Sequence, residues 1–208
     1  SKNQAAASQN NDQLLFDVVS QLEIIQNNTN KAATPDLIKK CYDTLNTWKA
    51  KENDETELEL HAELWARLAK LALNEQTNEM YKYALKSVEM SLSLLNANQD
   101  LSKIPVSRLR WYSLANYLYG ETLSYMINPQ TQEKESQEKL LFYALKHSEE
   151  AAHKGCKADI NILVLDAAKQ FWNICTRLKD SATNRKALIK PIFTMMYYLK
   201  TVKETSEP

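Results

Sequence analysis

Three histidines are the side chains of this sequence best suited to hold a metal ion or to move a proton near neutral pH: His61, His147 and His153. A zinc site needs closely spaced ligands, as in His-Glu-x-x-His or Cys-x-x-Cys, and neither pattern occurs. No two histidines lie four residues apart on one helix face. The sequence therefore predicts no metal site and no cofactor. His61 lies near an apolar stripe and is expected to be a packed, hydrogen-bonded core histidine.

The three cysteines are far apart in the chain and predict no disulfide framework. Cys41 and Cys175 occupy core positions of their predicted helices, where a buried thiol is inert. Cys156 is the most exposed candidate, but a single Lys on either side gives it little activation as a nucleophile. Free thiols are typical of a reducing compartment, so a cytoplasmic protein is expected.

The charged side chains do not form a catalytic pattern either. The carboxylates between Glu52 and Glu63 line the start of a predicted helix, where acids stabilise the helix dipole. Lys+Arg and Asp+Glu number 26 each, without the basic excess typical of nucleic-acid binders. The sequence contains no run of 18 apolar residues, so it predicts no membrane-spanning helix. We expect no enzyme, no small-molecule substrate, no nucleic acid and no membrane partner.

The elements that must position these side chains are helical. The chain has only 2 Gly in 208 residues, which argues against a β-sandwich, a Rossmann domain and a P-loop enzyme, since all three need glycine-rich turns. Apolar residues recur at helical spacing from Asp12 almost to the end and predict eight helices. Residues 11–203 are expected to form one helical-repeat domain between disordered tails at 1–10 and 204–208.

Several residues predict where individual helices begin and end. Thr34 before Pro35 is expected to cap the second helix, the acidic stretch at 54–57 to open the third, and Thr77 to cap the fourth. Gly155 is placed as the residue that follows the sixth helix. Pro191 lies inside the last helical pattern and predicts a kink or break near Ile189.

An internal repeat underlies these helices. The motif Trp-x-x-Leu-Ala occurs at 65–69 and 111–115, and each copy is followed by a helix with a common core, YALKSVE at 83–89 and YALKHSE at 143–149. A weaker third copy begins at Phe171. The second copy holds a 14-residue extension, part of which is expected in the polar segment 130–139. The pattern resembles the tetratricopeptide repeat (TPR). It predicts an all-α fold, a right-handed stack of about eight antiparallel helices forming a degenerate TPR-like α-solenoid, against the alternative of an ordinary helical bundle.

Two blocks carry a resemblance to a known family. They are ELWARLAKLA at 63–72 and AAKQFWNIC at 167–175, the second followed by LIKPI at 188–192. Together they resemble the helical-repeat regions of large cilia- and flagella-associated proteins of the axonemal central apparatus, the 46 and 54 type, in which Trp-Asn-x-Cys in one helix and Lys-Pro in the next recur in a similar order. The resemblance covers roughly residues 60–203 and implies a non-enzymatic scaffold in the axoneme of the cilium or flagellum. Because those proteins are very long, it also implies that this chain is a segment of a larger one.

Two functions follow as expectations. The first is a helical scaffold or protein-interaction module, with axonemal or microtubule-associated proteins as partners. The alternative is a cytosolic TPR-like adaptor that binds a short peptide of a trafficking or signalling partner. A peptide groove should repeat its polar residues in successive first helices. Arg67 and Lys70 correspond to Ser113 and Asn116, which favours the scaffold.

The fifth helix carries the candidate partner-binding strip. Its members are mostly small or suited to anchor a partner: Arg110, Ser113, Asn116, Tyr117, Gly120 and Ser124. Gly in a helix interior costs up to about 1 kcal/mol relative to Ala, so Gly120 indicates that another backbone comes close. That backbone belongs either to a helix of this chain or to a partner protein. By contrast, Trp65, Trp111 and Trp172 are expected to be structural residues.

Overall fold

Eight α-helices account for every regular element in the part of the chain that the computed structural model describes, residues 2–48, 54–95 and 104–202, with side chains from Asn11 onward. The chain divides into two compact units, Ser1–Leu95 and Asn96–Pro208. Within each unit, helices that follow one another in sequence pack against each other. The predicted all-helical class and its stacked, solenoid-like helix packing are confirmed. A single domain over 11–203 stays a prediction.

The first unit holds four helices: α1 (Lys2–Asn27), α2 (Thr34–Thr47), α3 (Glu55–Asn74) and α4 (Asn78–Leu95). α3 and α4 form the most extensive helix contact of this unit, and α1 and α2 pack against each other and against α3. Trp65 on α3 is fully buried at the centre. The backbone of α1 is helical from Lys2, within the segment for which composition predicts a disordered tail. The run Ala5–Ala7 favours this, since Ala is the strongest helix former.

The second unit holds the other four: α5 (Val106–Tyr125), α6 (Lys134–Lys157), α7 (Asn161–Leu178) and α8 (Ala182–Thr201). α6 contacts all three of its neighbours, and α5 also reaches α7. Phe171 on α7 is the largest fully buried side chain of this unit. The tail predicted at 204–208 lies outside the described residues.

The predicted helix starts are correct where a side chain accepts a hydrogen bond from a backbone N–H of the first turn. Asp54 accepts hydrogen bonds from the backbone N–H groups of Thr56 and Glu57, so α3 starts in the acidic stretch as predicted. Thr77 accepts from the backbone N–H of Met80, so the cap predicted there is confirmed. The predicted cap at Thr34 is wrong. Ala33 holds the cap position of α2 without a side-chain bond, and Thr34 is already helical.

The expectation about the end of α6 is also wrong. Gly155 does not follow α6; it is buried inside the helix, which continues to Lys157. A Cβ at Gly155 would lie 3.0 Å from Val164 Cγ2, so its role is to let α7 approach. α8 runs through Pro191 without a break, so of the kink or break expected near Ile189 the break is absent and the kink stays a prediction.

The 14-residue extension of the second repeat is distributed over three places. α3 ends nine residues after Trp65, whereas α5 ends fourteen residues after Trp111. The connection between α5 and α6 is longer than that between α3 and α4. The part of α6 before Tyr143 is also longer than the part of α4 before Tyr83. The polar segment 130–139 therefore holds only part of the extension. The five extra residues of α5, Glu121–Tyr125, have no counterpart on α3.

Candidate interaction surfaces

The predicted strip on α5 faces the interior at three of its six positions. Ser113, Asn116 and Gly120 are buried, and all three lie against α6. The Ser113 hydroxyl donates to the Ala151 carbonyl over 2.7 Å. For these positions a partner helix laid across the strip is wrong, since a helix of the same chain already occupies the place. This is the internal alternative that the sequence left open.

Gly120 lies where α5 and α6 come closest. A Cβ built there would lie 2.9 Å from the Ala144 carbonyl oxygen, 3.1 Å from Gln170 Oε1 and 3.3 Å from Ser148 Oγ. The contact with the Ala144 carbonyl is a contact with backbone, so it could be relieved only if a whole helix moved. The close backbone predicted from this glycine is therefore present and belongs to α6.

Asn116 organises a buried polar cluster instead of reaching a partner. Its side-chain amide donates to the Tyr112 carbonyl, and its Oδ1 lies 2.8 Å from Nδ1 of His147. Nδ1 is the donor in this pair, because Oδ1 can only accept. The His147 ring stacks on Tyr119 with centroids 4.0 Å apart. Burial, with help from Lys146, lowers the pKa of His147 to about 4, so the ring is neutral at pH 7.

Gln170 connects three helices through its amide. Its Oε1 lies 2.7 Å from the Ser148 hydroxyl of α6, and its Nε2 donates to the Tyr117 carbonyl of α5 over 3.2 Å. The hydrogen bond between Ser148 and Gln170 lies next to Gly120, since a Cβ built at Gly120 would be within 3.3 Å of both bonded oxygens. Sequence reasoning missed this residue, because an isolated Gln in an apolar stretch carries no spacing pattern.

A polar groove of about 390 Å³ opens between α5 and α7. Tyr117 and Ser124 of the predicted strip line it. So do the extra residues Glu121 and Tyr125, which means that the groove depends on the five-residue extension of α5. From α7 it is lined by amide, charged and apolar side chains: Asp166, Lys169, Gln170, Asn173, Ile174 and Arg177.

The charges of this polar groove are mixed. Lys169 Nζ lies 3.3 Å from Asp166, and Arg177 donates to the Ser124 carbonyl over 3.4 Å. Burial raises the pKa of Tyr117 to about 12, with further contributions from Glu121 and Asp166. Tyr117 therefore stays protonated and offers no base at neutral pH. The groove can hydrogen-bond to a chain laid in it, but it lacks a nucleophile beside a base.

The tryptophans differ in how far they are buried. Trp65 is fully buried, as a structural role requires, and donates its indole N–H to His61. Trp111 is only half-buried and lies under the guanidinium of Arg110, 5.3 Å from its ring centre. Trp172 is 42% exposed, so the expectation that it lies in the core is wrong. Its neighbour Phe171 fills that place, because adjacent helix residues point about 100° apart.

The other chemically versatile side chains are engaged in packing. His61 accepts the bond from Trp65 at Nε2, and burial lowers its pKa, as expected for a core histidine. Cys41 and Cys175 are buried as predicted, and burial raises the pKa of Cys41 to about 12 and that of Cys175 to about 11. Cys156 is half-buried, 3.1 Å from the Thr201 hydroxyl. Within the described ranges no group of His, Cys, Asp or Glu has the geometry to hold a metal ion.

An apolar surface that the sequence analysis missed lies on the last helix. Ile189, Phe193, Met196 and Tyr197 point away from α6 and α7, with Phe193 67% and Tyr197 65% exposed. Lys186 and Lys200 lie at the two ends of the same face. We call these six residues the α8 outward face. The i, i+4, i+8 spacing of 189, 193 and 197 could have revealed it, but any such stripe is first interpreted as core.

A scan against protein-family models finds no match for this chain, and a search of curated proteins finds none either. Among the helices of the described residues, none is long and apolar enough to cross a membrane.

Proposed function

We propose that this chain is a non-enzymatic helical scaffold, a protein-interaction module that works as a segment of a larger axonemal protein. The observation that carries the proposal is the α8 outward face. Aromatic and aliphatic side chains are exposed there in a row, on a helix whose other side packs into the unit. Contiguous exposed apolar side chains with a charged rim are typical of protein-interaction sites.

The chemistry of the described residues supports a role without catalysis. The two most buried histidines serve packing: His61 bonds to Trp65, and His147 bonds to Asn116. A general base needs a pKa near the working pH and access to a substrate. Burial moves the pKa of His147 to about 4, and its ring is covered by Tyr119.

The axonemal assignment comes from the family resemblance, and the structure supports it in one respect. The Trp-Asn-x-Cys block begins at Trp172 on α7, and the Lys-Pro pair at Lys190 lies on α8. The two motifs therefore occupy consecutive helices, in the order that the resemblance implies. Cytoplasmic residence with axonemal attachment belongs to the same proposal.

The test places the tagged chain in a ciliated cell. We expect it on the axoneme, retained after detergent removes the membrane, and we expect Phe193→Glu to release it. Tyr143→Glu is the matched control, because Tyr143 is 63% exposed on α6, away from the α8 outward face. Equal retention of the wild-type chain and both variants, or a chain that never reaches the axoneme, would contradict the proposal.

The polar groove between α5 and α7 favours a second candidate, a cytosolic adaptor that binds a short extended peptide. Asn173, Lys169 and Arg177 present amide and cationic groups along it, which suits a peptide backbone or a carboxylate. The double variant Lys169→Glu/Arg177→Glu separates the two candidates. An adaptor loses its co-purifying partner with this variant and keeps it with Phe193→Glu. A scaffold that uses α8 shows the reverse.

A further inference from the structure

The first and last helices of the chain both leave apolar side chains uncovered. On α1, Phe16 is 67% exposed, and Ile24 is exposed about two turns further along, on a different side of the helix. On α8, the α8 outward face is uncovered in the same way.

The two helices also carry opposite charge. α1 bears Asp12, Asp17 and Glu23, and no basic residue occurs between Lys2 and Lys31. α8 bears Arg185, Lys186, Lys190 and Lys200 and no acidic residue. The imbalance extends to the whole units: residues 1–95 have ten basic and fourteen acidic side chains, and residues 96–208 have sixteen and twelve.

The exposed parts of the two faces match in length. Asp12, Phe16 and Glu23 share one side of α1, and the two carboxylates are separated by about 17 Å at 1.5 Å per residue. Lys186 and Lys200 flank Phe193 over about 21 Å on α8. Long lysine side chains can cover this difference, which lets the two aromatic rings meet between two ion pairs.

We infer that a second copy of this chain covers the α8 outward face, with α1 of that copy packed along it. The inference rests on the proposed function, since it names the partner of the same surface. The contact joins two different faces, so a pair of copies leaves α1 free on one copy and α8 free on the other. Contacts of this kind produce rows or rings of copies rather than closed two-fold dimers.

Sedimentation velocity of the purified chain tests the inference. We expect the weight-average mass to at least double between about 1 and 100 µM protein at low salt. Because ion pairs contribute, about 0.5 M NaCl should suppress the association. Phe16→Lys and Phe193→Glu each place a like charge in the contact and should leave the chain monomeric. Tyr143→Glu is the control and should associate as the wild type does.

Mixing the two defective variants gives the sharpest result. The Phe16→Lys chain still has an intact α8, and the Phe193→Glu chain an intact α1. An equal mixture should therefore associate through the intact α8 of one variant and the intact α1 of the other, although each variant alone is monomeric. Circular dichroism confirms that both variants are folded.

Three outcomes overturn the inference. The wild-type chain stays monomeric at about 100 µM, or it associates equally well with both substitutions present, or the mixture stays monomeric. If the monomeric wild-type chain instead sediments with phosphatidylserine vesicles through Phe193, the basic apolar face is a membrane surface. A monomer whose axonemal retention still requires Phe193 would overturn only self-association and leave the proposed function standing.

Discussion

The α3–α4 and α5–α6 hairpins share one sequence repeat but join their helices in different ways. In the first hairpin, α3 presents four fully buried alanines to its neighbours: Ala62, Ala66, Ala69 and Ala72. In the second, α5 presents Ser113, Asn116 and Gly120, which contact α6 through hydrogen bonds and close backbone. The repeat therefore fixes the spacing of the helices but leaves the chemistry of their contact free to vary.

The difference is clearest at positions that correspond between the copies. Ser87 on α4 corresponds to His147 on α6. The Ser87 hydroxyl is buried without a hydrogen-bond partner, whereas His147 finds one in Asn116. Trp65 corresponds to Trp111, and only Trp65 is fully buried, with Tyr42 of α2 and His61 against its ring. A repeat copy acquires its own polar network only where both helices supply a member of it.

The tryptophans give the largest expected effect. Trp65→Ala should lower the free energy of unfolding by about 3–5 kcal/mol, since it empties the centre of the first unit. Trp111→Ala should cost about 1–2 kcal/mol, because much of that ring is already in water. Trp172→Ala should change stability by less than about 1 kcal/mol. Urea titrations followed by circular dichroism measure all three, and equal losses for Trp65 and Trp111 would remove the contrast between the hairpins.

The second effect is a steric one at Gly120. Gly120→Leu should destabilise the second unit by about 3 kcal/mol or more, because the new side chain meets the Ala144 carbonyl and Gln170. The control is Asn74→Leu at the corresponding position of α3, which is exposed. Thermal unfolding of the two variants gives the comparison. A Gly120→Leu chain with wild-type stability would show that the helices are not held at this distance.

The third effect depends on pH and concerns His147. Its folded pKa of about 4 lies below the ordinary 6.5, so the unfolded chain binds more protons between these values. The unfolding free energy should therefore fall as the pH is lowered from about 6.5 to 4. The contribution of His147 is about 1–2 kcal/mol, allowing for partial solvation of the ring. Above pH 6.5 the ring is neutral in both the folded and the unfolded chain, so its titration no longer changes the unfolding free energy.

His147→Gln isolates this contribution from that of the carboxylates, which also titrate in acid. Gln keeps a donor for Asn116 but does not ionise. The stability of the wild-type chain should fall more steeply with acid than that of the variant. Parallel pH profiles would contradict the assignment of a lowered pKa to this histidine.

The smallest effect has opposite signs at two serines of α4. Ser91 donates to the Ala62 carbonyl over 2.8 Å, so Ser91→Ala should cost about 1 kcal/mol. Ser87→Ala should instead stabilise the chain by about 0.5–1 kcal/mol, because it removes a buried hydroxyl without a partner. Chemical denaturation resolves the two, and a loss of stability at both sites would mean that Ser87 has an acceptor.

Helix positions followed from the sequence because apolar spacing and caps are local signals. Asp54 and Thr77 act within their own first turn, so neighbouring residues suffice to predict them. Gly155 and Trp172 were misplaced because their roles depend on other helices. Gly155 leaves room for the Val164 side chain of α7. Phe171, one residue before Trp172 in the same apolar pattern, occupies the core in its place.

The candidate surfaces were harder to predict for the same reason. The strip on α5 was chosen for small residues, and small residues serve a contact within the chain as well as one with a partner. The α8 outward face has the spacing of a core stripe, and only the packing of α6 and α7 on the opposite side shows that it is exposed. The polar groove requires the five extra residues of α5. The sequence shows that the second repeat is 14 residues longer, but not that five of these residues extend α5.

The separation of charge between the two units affects how the chain behaves in an external field. The formal net charge is zero, but one unit carries four excess negative charges and the other four excess positive charges. The balanced net charge of the chain therefore conceals two units of opposite net charge, which a single isoelectric point does not reveal. At neutral pH and low salt the chain should be retained by cation exchangers through one unit and by anion exchangers through the other, unlike a protein whose balanced charges are evenly mixed.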